Sequence, residues 1–183
     1  MKLIRNMKRE RKKNRLQNYD YSRPGWYFVT ICTKNRVEYF GKIQDNEMHF
    51  NTCGKIAQKC WFDLPNHYRN IHLDKWVIMP NHMHGIVVID DFSDDVVGAG
   101  LKPSPTAPIH KQHSLSEIMR GFKTFSSRKI NEFYPKLGFC WQRSFYDHII
   151  RNDHSLESIR AYIKNNPLKW ELDKNKKTDV RPH

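Results

Sequence analysis

Apolar residues fall along the chain in short blocks whose spacing alternates between strand-like and helical. Trp26 to Thr33 reads WYFVTICT, an aromatic and β-branched run typical of a buried strand. Tyr39 to Phe50 contains GKIQDNEMHF, whose polar Asp45-Asn46-Glu47 tip predicts a small hairpin. Thr52 is placed to cap a helix running to about His67, with Ile56, Cys60 and Leu64 facing inward and Pro65 and Asn66 closing it. His72 to Met79 and His82 to Ile89 carry WVIM and IVVI around Pro80-Asn81, the pattern of two strands joined by a tight turn. Residues 90–113 have no helical period and predict a long surface loop.

Ser114 followed by Glu117 forms a capping-box signal. The helix it opens carries a stripe of Leu115, Ile118, Met119, Phe122, Phe125 and Ile130. Phe139 to Ile150 fits a fourth main strand. Asn152 or Asp153 can cap a last helix with Leu156, Ile159, Tyr162 and Ile163, which Pro167 should halt. The order strand, helix, strand, strand, helix, strand, helix predicts an α+β fold. It implies a ferredoxin-like antiparallel sheet with helices on one face and an added C-terminal helix.

Charge narrows the partners. The 183 residues carry a net charge of +13, and the first fifteen hold eight Lys or Arg. A polyanion relieves such self-repulsion. Only Leu3, Ile4 and Met7 could anchor that arm in lipid, so nucleic acid is favoured over membrane. No apolar run approaches the ~18 residues of a spanning helix. Cys32, Cys53, Cys60 and Cys140 form no C-x-x-C pair, consistent with reduced thiols in a cytoplasmic, nucleoid-associated protein. The predicted organisation is a basic arm over 1–24, one domain over 25–170 and a charged, loose tail over 171–183.

Two motifs can carry chemistry. In Met79-Pro80-Asn81-His82-Met83-His84-Gly85, strand alternation points His82 and His84 the same way while Met83 packs opposite. Two such imidazoles can converge on one divalent ion, and Gly85 removes bulk that a ligand could use. The alternative is one histidine capping the turn and the other exposed. In Tyr162-Ile163-Lys164-Asn165-Asn166-Pro167, Tyr162 and Asn166 stand four apart on one helical face. Asn166 offers a hard carboxamide oxygen as a third ligand; otherwise Tyr162 is core and Asn166 simply ends the helix.

Together with FCWQRSFYDHIIR at 139–151, the blocks WVIMPNHMHGIV at 76–87 and YIKNNPLK at 162–169 give a more specific pattern. Over residues 25–170 the chain resembles the single-tyrosine transposases with a His-hydrophobic-His motif, particularly the REP-associated tyrosine transposases. The resemblance implies that His82 and His84 bind Mg²⁺ or Mn²⁺, that Asn166 completes the shell, and that Tyr162, on the added helix, is the nucleophile. It also implies an enzyme that nicks and rejoins single-stranded DNA, often hairpin-bearing, through a 5′-phosphotyrosine. The family includes monomers and dimers, so a homodimer stays open. Lys123, Arg128 and Lys129 on the helix after Ser114, and Arg143 and Arg151 flanking the fourth strand, are candidate phosphate contacts. A metal-dependent nuclease using activated water, or a non-catalytic nucleic-acid binder, would share much of this pattern.

Overall fold

A computed structural model describes residues 16, 18–91 and 112–178. Six strands are ordered along the chain: β1 (Gly25–Cys32), β2 (Gly41–Gln44), β3 (Glu47–Phe50), β4 (Ile71–Met79), β5 (His82–Ile89) and β6 (Tyr146–Ile150). The helices are α1 (Thr52–Phe62), the short α2 (Leu64–His67), α3 (Leu115–Phe133), α4 (Asp153–Lys164) and α5 (Asn166–Thr178). The main sheet has the order β4-β5-β1-β6 with antiparallel neighbours, the ferredoxin-like arrangement with one helix added. β2 and β3 form the predicted hairpin, with Asp45 and Asn46 both at positive φ as a two-residue turn requires.

Strand alternation sorts the sheet into two faces. Tyr27, Val29, Ile31, Ile78, Met83 and Val87 join one core cluster with Trp61 of α1 and Ile118 and Phe122 of α3. Phe28, Ile86, Val88 and Ile150 face the other way and are covered by Ile163 of α4, with Trp26, Leu156 and Ile159 packed around them. The added helix therefore lies across the sheet from α1 and α3. His82 and His84 share its face, because Thr30, opposite His84, and Phe28, two residues along, alternate in step.

Several boundaries differ from the sequence expectation. Asn51, not Thr52, caps α1, accepting from the Gly54 amide at 3.0 Å. The helix stops at Phe62 because Pro65 belongs to a separate turn, α2, where its missing N–H costs no helical bond. Cys53, Ala57, Cys60 and Trp61 make its inner face, while Ile56 is only half-buried. The fourth strand is confined to β6. Phe139, Trp141 and Phe145 enter the core from an irregular segment, with Trp141 bridging to Thr33. Pro167 does not end the helical chain. It occupies the first turn of α5, where the backbone donors are unbonded in any case, so residues 166–178 are helical rather than loose.

Tyr21 is buried and Tyr19 packs on the same cluster, so the last residues before β1 belong to the folded body. The predicted capping box forms at Ser114 and Glu117. Most of the predicted 90–113 loop, most of the basic arm and the last five residues lie outside the described residues. Among the described residues no helix is long and apolar enough to cross a membrane.

Candidate active site

His82 and His84 bring their Nε2 atoms to 3.1 Å from each other, and both residues are buried, 7% and 4% exposed. Each ring is held by its other nitrogen. The amide of Asn81 donates from Nδ2 to the Arg36 carbonyl at 3.0 Å, which turns its Oδ1 toward His82 Nδ1 at 2.8 Å. That oxygen can only accept, so Nδ1 carries the proton and Nε2 of His82 is a bare lone pair. His84 Nδ1 lies 2.8 Å from Thr30 Oγ1, and its ring stacks on Phe28 with centroids 5.5 Å apart. Burial pushes the His82 pKa down to about 4, with the Arg36 charge adding to the effect and a hydrogen bond that the protonated ring donates to Asn166 opposing it. Burial, then the neighbouring His82 and the Arg36 charge, push His84 down to about 3. Both imidazoles are therefore neutral at physiological pH, the form in which a ring nitrogen can ligate a metal.

The C-terminal helices close over this pair. Tyr162 on α4 is 38% exposed, and its hydroxyl stands 3.4 Å from His84 Nε2. Its ring also meets Phe28 edge-on, and the Lys169 ammonium lies 5.2 Å from its centroid. Asn166, at the start of α5, is 7% exposed and hydrogen-bonds to His82. Trp170, one turn further on, packs its ring 5.6 Å from that of His82. The break at Asn165, which caps α4, thus separates Tyr162 from Asn166 while both address the same imidazole pair.

His82, His84 and Asn166 are the residues that could hold a metal. Among the described residues no group of three or more His, Cys, Asp or Glu is placed to do so. Two adjacent donors on an octahedral ion at ~2.1 Å stand about 3 Å apart. The observed 3.1 Å Nε2 separation, with a carboxamide alongside, suits a divalent cation.

Gly85 serves a different purpose from the one its position suggested. A Cβ there would meet the Trp61 indole at 2.4 Å, on the α1 side of the sheet. The glycine makes room for the core rather than for a ligand at the histidines. The basic residues are dispersed. Lys123 donates to the carbonyls of Gln142 at 3.2 Å and Arg143 at 2.7 Å, so it ties α3 to the segment before β6. Arg128 pairs with Glu132 at 3.6 Å and lies over Phe125; like exposed Lys129, it is on α3, across the sheet from the histidines. Arg143 lines a cleft of about 420 Å³ with Arg120 and Trp141. Arg151 lines one of about 210 Å³ beside Trp26 and Leu156.

Thr30 and Asn81 took no part in the sequence reading of the site, and Trp170, readable there only as an aromatic that could stack on bases, packs against His82 instead. Asn81 stands within the MPNHMHG block and passed as a turn residue. Thr30 and Trp170 reach the histidines only through tertiary packing, which spacing does not reveal.

The Transposase IS200 like family matches residues 107–166, a stretch that includes Tyr162 and Asn166. An uncharacterized protein of Haemophilus influenzae (strain Rd) is 37% identical over 168 residues, covering 89% of this chain and 91% of that protein. A putative REP-associated tyrosine transposase of the same organism is 28% identical over 158 residues, covering 84% of this chain and 77% of its own length. The solved structure of a REP-associated tyrosine transposase bound to a REP hairpin superposes with a TM-score of 0.55 at 20% identity. It covers 85% of this chain and 73% of that one. The stretch that carries Tyr162 and Asn166 therefore belongs to the IS200-like transposase family, and the chain as a whole shares the fold of a REP-associated tyrosine transposase.

Proposed function

We infer that the chain nicks and rejoins single-stranded DNA through a covalent bond between Tyr162 and the 5′ phosphate of the cut strand. The observation that carries this reading is the approach of the Tyr162 hydroxyl to 3.4 Å from His84 Nε2, which itself faces His82 Nε2 at 3.1 Å. The Tyr162 oxygen attacks phosphorus in line. The bond to the preceding 3′ oxygen breaks, that oxygen leaves as a hydroxyl with a proton from water, and the phenol proton passes to solvent. A 3′-hydroxyl then reseals the strand by the reverse displacement, so no nucleotide triphosphate is consumed. His84, with its pKa near 3, is a poor proton acceptor and acts as a ligand rather than a general base.

His82, His84 and Asn166 hold Mg²⁺ or Mn²⁺ in this reading, and Thr30 and Asn81 fix the imidazole orientations. When bound, the cation offsets charge on the phosphate and positions it. Arg143 and Arg151 contact flanking phosphates, Lys123 secures the segment carrying Arg143, and Arg128 and Lys129, across the sheet from the histidines, meet only phosphates farther along the bound strand. A hairpin-bearing strand is the substrate that fits best, since the structural relative is described bound to a REP hairpin. Such a substrate places the protein at the nucleoid.

The test uses a pool of 3′-labelled single strands that carry a hairpin with randomised flanks, incubated with Mn²⁺ and run on a denaturing gel. Label migrating with the protein is expected for the parent and absent for Tyr162→Phe, which should still bind DNA. Strand breakage without protein-linked label would instead indicate hydrolysis by water.

A further inference from the structure

Between β1 and the hairpin, Lys34–Arg36 forms a single 3-10 turn with an unusual backbone. Asn35 and Arg36 stand at φ 56° and 58°, consecutive left-handed residues of which neither is glycine. Asparagine tolerates that region; an unbranched cationic residue seldom occupies it. The turn is nonetheless firmly tied. Thr33 accepts at its carbonyl from the Arg36 amide at 3.1 Å, and its hydroxyl donates to Val37 O at 2.7 Å. The Lys34 amide donates to Cys140 O at 2.9 Å. The Arg36 carbonyl receives Asn81 Nδ2, and Asn81 in turn holds His82. One asparagine therefore links the backbone of Arg36 to the ring of His82.

The side chain of Arg36 is exposed and forms no ion pair among the described residues. It springs from a backbone that only the Asn81 amide separates from the His82 ring, through contacts of 3.0 Å and 2.8 Å. The surrounding donors are two neutral rings and a carboxamide, so nothing nearby in this donor set balances a guanidinium. A strained backbone conformation clamped beside a reactive centre, carrying a cation with no ion-pair partner among the described residues, is the arrangement expected of a group waiting for an anion.

We propose that Arg36 is a further catalytic residue, whose guanidinium binds the scissile phosphodiester and stabilises the charge that gathers on it as Tyr162 attacks. This inference rests on the strand-nicking reading above. The planar fork of arginine suits two phosphate oxygens at once, which a lysine ammonium matches only as a point charge.

The informative variant is Arg36→Gly. It deletes the side chain at a left-handed position that glycine adopts freely, and it keeps the carbonyl that Asn81 requires. Two readouts are taken on the full chain: metal-free binding of a single-stranded oligonucleotide against salt, and the rate of Tyr162-linked adduct formation with the labelled pool and Mn²⁺. Losing one phosphate contact should make the log–log salt slope shallower by about 0.7. The adduct rate should fall by about a hundredfold or more, with a melting temperature at or above the parent's. Arg36→Lys should keep the slope and recover part of the rate. An unchanged slope, a rate within about threefold of the parent, or a rate loss accompanied by a lowered melting temperature overturns the proposal. Should the parent itself form no adduct, the strand-nicking reading falls, and the salt slope alone decides whether Arg36 contacts phosphate.

Discussion

Neither His82 nor His84 is free to turn, since each ring is tethered through Nδ1 and presents Nε2 to the other. Removing one tether should be felt at the metal before it is felt in the fold. Thr30→Val, which keeps the shape and deletes the hydroxyl, is expected to weaken Mn²⁺ binding roughly tenfold or more, measured by calorimetry. Because the candidate donors are all uncharged, Mn²⁺ should bind the free protein weakly and tighten when a single strand supplies phosphate oxygens; equal affinity with and without DNA would contradict this. Protonation gives a second handle. In the folded, metal-free chain the two rings take up protons only near pH 4 and 3, against about 6.5 when unfolded. Above 6.5 both states are neutral and the pair adds no pH dependence. As pH falls below that, the unfolded chain binds the extra protons, so stability is lost progressively down to about pH 3. The denaturation midpoint should drop between pH 7.5 and 5, and less so in His82→Gln/His84→Gln. The imidazoles, Tyr162 and Asn166 were readable in the sequence because strand and helix periods, with the family resemblance, pick them out. Thr30 and Arg36 were not, because what joins them to the site is register between distant segments.

Among the elements, β5 is the most constrained. Its even-numbered start carries the imidazoles, while Gly85 on the reverse side lies against Trp61. Gly85→Ala is therefore expected to destabilise the fold by about 1–3 kcal/mol, seen as a lower urea midpoint, through overpacking. A local pattern made the hairpin, the capping box and the strand pair around Pro80 legible, since each depends on residues close in sequence. The stretch from Phe139 to Phe145 misled for the opposite reason. Its aromatics are as apolar as a strand's, but they fill gaps around Phe40 and Phe122 without a ladder partner beyond one bridge. Pro167 likewise has two meanings, and only the chain's turn at Asn165 decides that it starts a helix rather than stopping one.

For the molecule as a whole, the nucleophile candidate reaches the imidazole pair of its own chain. Mixing Tyr162→Phe with His84→Ala should therefore not restore adduct formation; recovery on mixing would mean that subunits exchange tyrosines. If about six phosphates are neutralised, DNA affinity should fall with salt with a log–log slope of about −4. The overall charge points to a polyanionic partner, but it gives no sign that Arg128 and Lys129 stand across the sheet from the histidines. The alternation of β5 carries a further implication for how the gene can change. Dropping or gaining a single codon in that strand would exchange the parity of every side chain, sending the imidazoles into the indole and leaving Met83 in their place. Variation here can proceed only by replacing one residue with another, whereas the β2–β3 tip, with no such two-sided commitment, has room for insertions.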